Sequence, residues 1–270
     1  MRRPPVSSKP PVFKPARAKA PRSKEAKVDF VDALREDRER ALASLDVSRE
    51  TLGRLDAYVD LLVKWQRAIN LVAPSTLKSL WTRHILDSAQ IATLGAKHQS
   101  WADLGSGAGF PGLIIAILAR DPARDPARDP AKDQPSEWPE PGFFHLIESD
   151  QRKASFLREA ARVTGVSVKI HACRVEDILP ELRGKVTAVT ARALAPLPSR
   201  LALAEPLLTT GAEGFFPKGE TLSSELQRAS EVFAFESRAV PSQSDEKGRI
   251  LVIRDLRRRP ASIGHSGDRK

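Results

Sequence analysis

The sequence is poor in cysteine and in long apolar runs. Cys173 is its one cysteine, so no disulfide can form within the chain, and a cytoplasmic location is expected. No stretch approaches the roughly 18 consecutive apolar residues of a membrane span, so we expect no membrane partner. The basic N-terminus lacks the apolar segment of a secretory signal, although its composition partly fits an organelle transit peptide.

Residue patterns for metal or nucleophilic chemistry are also scarce. The five histidines do not have metal-ligand spacing, so the sequence predicts no metal site. They are His84, His98, His145, His171 and His265. We find no Ser-His-Asp triad, no pair of acid–base carboxylates and no activated cysteine near the glycine-rich loop described below.

The formal net charge of +10 comes from the two ends of the chain. Residues 1–27 carry nine Lys or Arg and one acid, residues 254–270 carry six and two, and the body is left at −2. Residues 1–27 are rich in Pro, Lys, Arg, Ser and Ala and predict a disordered basic tail, and 256–270 predict a second one. Such tails can attract nucleic-acid phosphates without specificity, or they can serve only solubility.

Residues 28–97 predict an N-terminal helical extension. Apolar side chains recur at helical spacing over about 30–45, 49–69 and 75–94, with Ser48 as the N-cap of the second helix. The third predicted helix places four polar residues on one side. They are Arg83, His84, Asp87 and Ser88. On spacing alone this side is either a solvated face or part of a site.

A glycine-rich loop at 103–112 is the most informative motif. An apolar run precedes it and a helical run follows, which predicts a strand, a tight turn and a helix. Backbone N–H groups at such a turn can approach a ligand closely. The three glycines Gly107, Gly109 and Gly112 match the dinucleotide fingerprint G-x-G-x-x-G. With Asp103 added, the pattern instead resembles the first motif of S-adenosylmethionine (SAM) methyltransferases.

Residues 98–255 predict an α/β domain with a mostly parallel sheet, because strands and helices alternate. The last two strands, at 232–240 and 249–254, predict an antiparallel pair. A four-residue repeat with regularly spaced proline predicts an inserted low-complexity loop at 121–142. Without this insert, Glu148 falls about 21 residues after Gly105, where an acid can accept both ribose hydroxyls of NAD or SAM.

Six blocks, taken together and in this order, carry a more specific resemblance. They are residues 83–88, 103–112, 148–153, 174–176, 191–193 and 217–219. They resemble the RsmG (GidB) family of bacterial 16S ribosomal RNA guanine-N7 methyltransferases. The resemblance covers about residues 30–255. It implies a Rossmann-like SAM-dependent methyltransferase with an N-terminal helical extension. The implied substrate is 16S rRNA in the small ribosomal subunit or an assembly intermediate, and we expect a monomer.

The resemblance also implies site residues. The residues expected around SAM are Asp103, Gly105, Gly107, Gly109, Phe110, Glu148, Val175, Glu176 and Arg192. Within that set, Glu148 would lie near the ribose and Val175 and Glu176 beside the adenine. The residues expected to position the substrate are Arg192, His84, Arg83 and Lys218. We hypothesise that Arg192 binds guanine O6 or a phosphate.

The implied chemistry agrees with the missing general base. Guanine N7 carries a lone pair and no proton, so it can attack the methyl group in line, aided by alignment and electrostatics. Three alternatives stay open. They are a SAM methyltransferase with another substrate, an NAD-dependent oxidoreductase, and a non-catalytic RNA-binding ribosome assembly factor.

Overall fold

A computed structural model describes residues 24–121, 144–192 and 195–260. Residues 1–23, most of the predicted insert and residues 261–270 lie outside the described residues. Predictions for those segments therefore stay predictions. Among the described residues, no helix combines the length and apolar content that a membrane crossing requires.

The N-terminal part contains three α-helices and two short segments of other helix types. They are α1 (Lys24–Leu42), α2 (Arg49–Gln66), a 3₁₀ segment (Pro74–Ser79), a π-helical turn (Trp81–Leu86) and α3 (Asp87–Leu94). Ser48 is the N-cap of α2, as predicted, and its hydroxyl accepts the Thr51 N–H at 3.2 Å.

The prediction of one continuous helix over 75–94 is wrong. A buried carboxylate from α1, that of Asp37, accepts the Trp81 N–H at 2.8 Å and the Thr82 hydroxyl at 2.6 Å. Asp37 thereby caps the π-helical turn from outside, and the chain changes helix type at this point. Along 83–88, Arg83 is exposed, whereas His84 and Ser88 are buried.

The rest of the chain alternates between strands and helices, as predicted. The elements are β1 (Trp101–Leu104), α4 (Gly112–Leu118), β2 (Phe144–Ile147), α5 (Gln151–Thr164), β3 (Lys169–His171), α6 (Val175–Leu182), β4 (Ala188–Thr190), α7 (Leu197–Leu208), β5 (Glu213–Lys218), α8 (Leu222–Val232), β6 (Phe233–Pro241) and β7 (Arg249–Arg258).

These strands form one sheet in the order β3-β2-β1-β4-β5-β7-β6. Strands β1 to β5 are parallel, and β7 and β6 add to the β5 edge as the predicted antiparallel pair. The strand order reverses between β1 and β4, where α/β sheets form a crevice outside the carboxyl ends of the strands.

The helical extension and the sheet share one hydrophobic core. A single cluster contains Leu55 and Leu62 of α2, Ile114 of α4 and Phe156 of α5. A second cluster fills the opposite side with residues of α6, α7, α8 and the sheet. The extension is therefore fixed against the sheet beside the crevice.

Three predicted boundaries need correction. Helix α1 begins at Lys24, inside the predicted tail 1–27, and β7 runs to Arg258, past the predicted end at 255. Leu256 is buried and so belongs to the core rather than to a tail. Asp121, assigned to the insert, is also buried, and its carboxylate accepts the Ser48 N–H at 3.0 Å.

Candidate active site

The glycine-rich loop turns sharply between β1 and α4. The N–H groups of Gly105 and Ser106 both donate to the Ile147 carbonyl, which ties the loop to the end of β2. Gly107 has a φ of +56°, and a Cβ there would meet only the Gly105 carbonyl within 4 Å. This side of the loop is therefore open to a ligand. Gly109, with a φ of +94°, serves packing, since a Cβ would lie 2.8 Å from Leu113.

Glu148 follows β2 and reaches the same loop. Its Oε2 accepts the Gly107 N–H at 2.8 Å, and its Oε1 accepts the Asp150 N–H at 2.8 Å. The side chain is buried within the edge of the sheet. The structure therefore brings Glu148 and the glycine-rich loop together, as a cofactor site at this edge requires.

Asp103 lies at the end of β1 with an unsatisfied acceptor. Its Oδ2 accepts the Gly112 N–H at 3.1 Å, while its buried Oδ1 has no hydrogen-bond partner among the described residues. Burial raises the pKa of this carboxyl to about 7. A buried acceptor of this kind is costly unless a ligand satisfies it, and a cation would also favour its ionised form.

Phe110 connects the loop to the helical extension. Its ring makes an edge contact with Tyr58, with ring centroids 5.5 Å apart, and stacks on His84 at 4.8 Å. The Tyr58 hydroxyl donates to the Ala108 carbonyl at 2.5 Å. Tyr58 was missed by the sequence reasoning, although its spacing from Leu55 and Leu62 fits the apolar face of α2.

His84 is held in one tautomer. Its Nε2 lies 3.0 Å from the Thr76 hydroxyl oxygen, and that hydroxyl donates its one proton to the Ala73 carbonyl. The Nε2 must therefore be the donor, and Nδ1 is a buried acceptor without a partner among the described residues. Burial, with the charges of Arg192 and Arg83, lowers the His84 pKa to about 3, so the ring is neutral at physiological pH.

Arg192 lies just after β4, on the other side of the strand-order reversal from the glycine-rich loop. Its Nη2 donates to the Arg83 carbonyl at 2.9 Å and lies 3.9 Å from Asp87. The side chain is 21% exposed, and burial lowers its pKa. The Arg83 side chain itself is 49% exposed and lies 3.6 Å from Asp245. The structure therefore places the Arg192 guanidinium against the backbone of Arg83 and near Asp87.

The remaining predicted residues have different surroundings. Val175 and Glu176 begin α6, where Val175 is buried and Glu176 is exposed. Lys218 is only 5% exposed, and its ammonium donates to Glu225 Oε2 at 2.5 Å. Since Glu225 also accepts the Leu197 N–H, Lys218 belongs to an internal network. The prediction that Lys218 positions the substrate stays a prediction.

In the described part of the chain, no three His, Cys, Asp or Glu side chains are arranged to hold a metal ion.

A parallel sheet with a glycine loop after β1, an acid after β2 and a reversed last strand defines a Rossmann-like methyltransferase domain, here with an N-terminal helical extension. The model of the family described as rRNA small subunit methyltransferase G (GidB) matches residues 51–250. The chain belongs to this family of SAM-dependent enzymes, and the resemblance drawn from the six blocks is confirmed.

Comparison with individual proteins indicates the same family. The chain is 46% identical over 220 residues to a ribosomal RNA small subunit methyltransferase G of Methylobacterium nodulans, covering 82% of this chain and 96% of the relative. It is 45% identical over 222 residues to that of Parvibaculum lavamentivorans, covering 82% and 90%. A solved O-methyltransferase of Bacillus cereus in complex with SAH is 10% identical, with a TM-score of 0.48, and covers 83% of this chain and 99% of that one.

Proposed function

We propose that this protein methylates N7 of a guanine in 16S ribosomal RNA, with SAM as the methyl donor. Family membership over residues 51–250 carries the proposal at the level of an rRNA small subunit methyltransferase. The choice of guanine N7 rests on the family resemblance of the six blocks, with which the missing general base agrees. We further propose that the protein acts as a monomer in the cytoplasm, on the small subunit or one of its assembly intermediates.

The residues at the loop fit a SAM molecule. The unsatisfied Oδ1 of Asp103 suits a cationic amino group, and the open side of Gly107 lets a ligand approach the backbone. Glu148 would receive the ribose hydroxyls, since each carboxylate oxygen keeps a further lone pair beside its bond to the Gly107 or Asp150 N–H. Phe110 would border the cofactor from the side of the extension, and Val175 and Glu176 would flank the adenine.

The mechanism needs alignment rather than proton transfer. SAM supplies an electrophilic methyl group when it is bound. The N7 lone pair of guanine can attack this group without prior deprotonation, so the protein must orient the base and exclude water. His84, with a pKa of about 3, is a poor base at neutral pH, and its stacking on Phe110 suits a wall of the site instead.

Arg192 and Arg83 are the proposed contacts to the target nucleotide. A cation placed at N7 would oppose the positive charge that methylation creates there, whereas one placed at O6 or a phosphate would not. N7 lies in the deep major groove of A-form RNA, so the target guanine must leave its helix to reach Arg192.

The test combines cofactor and RNA measurements on the full chain. We expect calorimetry to detect binding of SAM and not of NADH, and small subunits lacking the modification to accept the methyl group at a guanine N7. Arg192→Ala should strongly reduce RNA affinity and the rate of transfer, with a residual rate that single-turnover measurements still detect, and should retain SAM affinity. Binding of NADH alone would favour an oxidoreductase, and binding of neither would favour a non-catalytic assembly factor.

A further inference from the structure

The loop between β6 and β7 is fastened to α3, far from it in sequence. The side-chain amide of Gln90 donates to the Pro241 carbonyl at 2.6 Å, and the Gln243 N–H donates back to Gln90 Oε1 at 3.1 Å. We call residues 241–245 the hairpin loop. Its two bonds with Gln90 fix its distance from α3 and hence from the candidate active site.

The hairpin loop also contributes two hydroxyl groups to one carboxylate. Ser242 Oγ donates to Asp87 Oδ1 at 2.9 Å, and Ser244 Oγ donates to the same oxygen at 2.5 Å. The other oxygen of Asp87, Oδ2, lies 3.9 Å from Arg192 Nη2. One carboxylate thus joins the hairpin loop to the arginine at the end of β4.

The geometry points to Asp87 as a positioning residue for Arg192, with Ser242 and Ser244 holding Asp87 in place. Arg192 has one hydrogen bond to the described protein, to the Arg83 carbonyl, which fixes one end of its guanidinium. Asp87 restrains that group further without a direct hydrogen bond, so part of the guanidinium stays available for an incoming oxygen. This inference rests on the proposed function, in which Arg192 contacts the target nucleotide.

Partial burial strengthens the electrostatic attraction between Asp87 and Arg192. Asp87 is 17% exposed and Arg192 is 21% exposed, so water screens the pair less than it screens an ion pair on the open surface. Arg83 lies beside Arg192 and repels it, which increases the need for an opposing charge. Asp245 of the hairpin loop faces Arg83 in turn. The hairpin loop therefore organises the charges of both arginines.

A double-mutant cycle tests the coupling on the full-length protein. Asp87→Asn should lower the single-turnover rate of methyl transfer to small ribosomal subunits about tenfold, with SAM affinity within about twofold of wild type. In the Arg192→Ala background the same change should alter the rate less than about twofold. The inference would be overturned if Asp87→Asn lowered the transfer rate by the same factor in the wild-type and Arg192→Ala backgrounds. It would also be overturned if Asp87→Asn lowered SAM affinity by as large a factor as it lowers the rate.

The serines provide a second test with a matched control. Ser242→Ala with Ser244→Ala should lower the rate about threefold, because Asp87 stays charged but loses its anchors. Ser224→Ala with Ser230→Ala is the control, since those hydroxyls only bond nearby carbonyls on α8. If the two double variants behave alike, the hairpin loop has no positioning role.

The stability of the protein separates this inference from the proposed function. If the wild-type chain methylates no ribosomal RNA, the proposed function fails. The Asp87 and Arg192 cycle is then measured on the free energy of unfolding in urea. Non-additive losses would still support the contact, and additive losses would contradict it.

Discussion

Asp103 shows most clearly how one residue depends on a ligand. It is enclosed at the end of β1 with one oxygen bonded to the Gly112 N–H and the other without a partner among the described residues. Since burial raises its pKa from 3.8 to about 7, the contribution of Asp103 to the stability of the ligand-free protein falls as pH rises from about 4 through about 7. A cationic amino group at the free oxygen would reverse that preference and favour the ionised carboxylate.

This predicts a pH dependence of cofactor binding. The affinity for SAM should rise as pH increases from about 5 to about 7, since Asp103 ionises over this range while an α-amino group with a pKa of about 7.7–8.0 stays largely protonated. Asp103→Asn should weaken binding about tenfold or more at pH 7 and flatten the dependence. Calorimetry across this range measures both effects, with the exposed Asp60→Asn as control. A pH-dependent affinity that survives in Asp103→Asn would contradict the assignment.

Secondary-structure elements were predictable where their signals are local. The Ser48 cap and the pairing of β6 with β7 follow from residue type and spacing. The break at residue 81 was not predictable, because Asp37 lies 44 positions earlier and reads as an ordinary charge on an exposed helix face. The ion pair of Lys218 with Glu225 was not predictable for a similar reason, since it forms only once α8 has packed.

The capping role of Asp37 predicts an asymmetry between two acids on the same helix. Asp37→Ala should lower the free energy of unfolding by about 2 kcal/mol or more, because it leaves buried donors at the π-helical turn unsatisfied. Asp32→Ala should change it by less than about 0.5 kcal/mol, since Asp32 forms only an exposed pair with Arg35. Urea unfolding compares the two. Equal destabilisation would show that Asp37 does not fix the turn.

At the scale of the whole molecule, the residues that build the site lie in the folded body, whereas most of the net positive charge lies at the two ends of the chain. The six motif blocks led to the family and to the loop at the carboxyl edge of β1, because those blocks hold the backbone and the charges of the site. The shared core of extension and sheet brings Tyr58 and His84 onto Phe110, which no local pattern indicates. The positive charge instead lies mainly at the two ends of the sequence.

Removal of the N-terminal tail should therefore affect RNA affinity and not the cofactor. Residues 1–23 contain seven Lys or Arg and no acid. A chain lacking them should bind small subunits more weakly, with a shallower dependence of log affinity on log salt, and bind SAM normally. Filter binding at several salt concentrations measures this. Identical salt slopes for the two chains would leave the tail with a role in solubility alone.

The central claim is methylation of a guanine N7 in 16S ribosomal RNA, and it is tested most directly by mapping N7-methylguanine in that RNA. The comparison is between cells with the gene, cells without it, and deleted cells that regain the wild-type or the Asp103→Asn chain. We predict that one methylated guanine disappears on deletion, returns with the wild-type chain and stays reduced with Asp103→Asn. An unchanged content of N7-methylguanine in 16S rRNA after deletion would contradict the account.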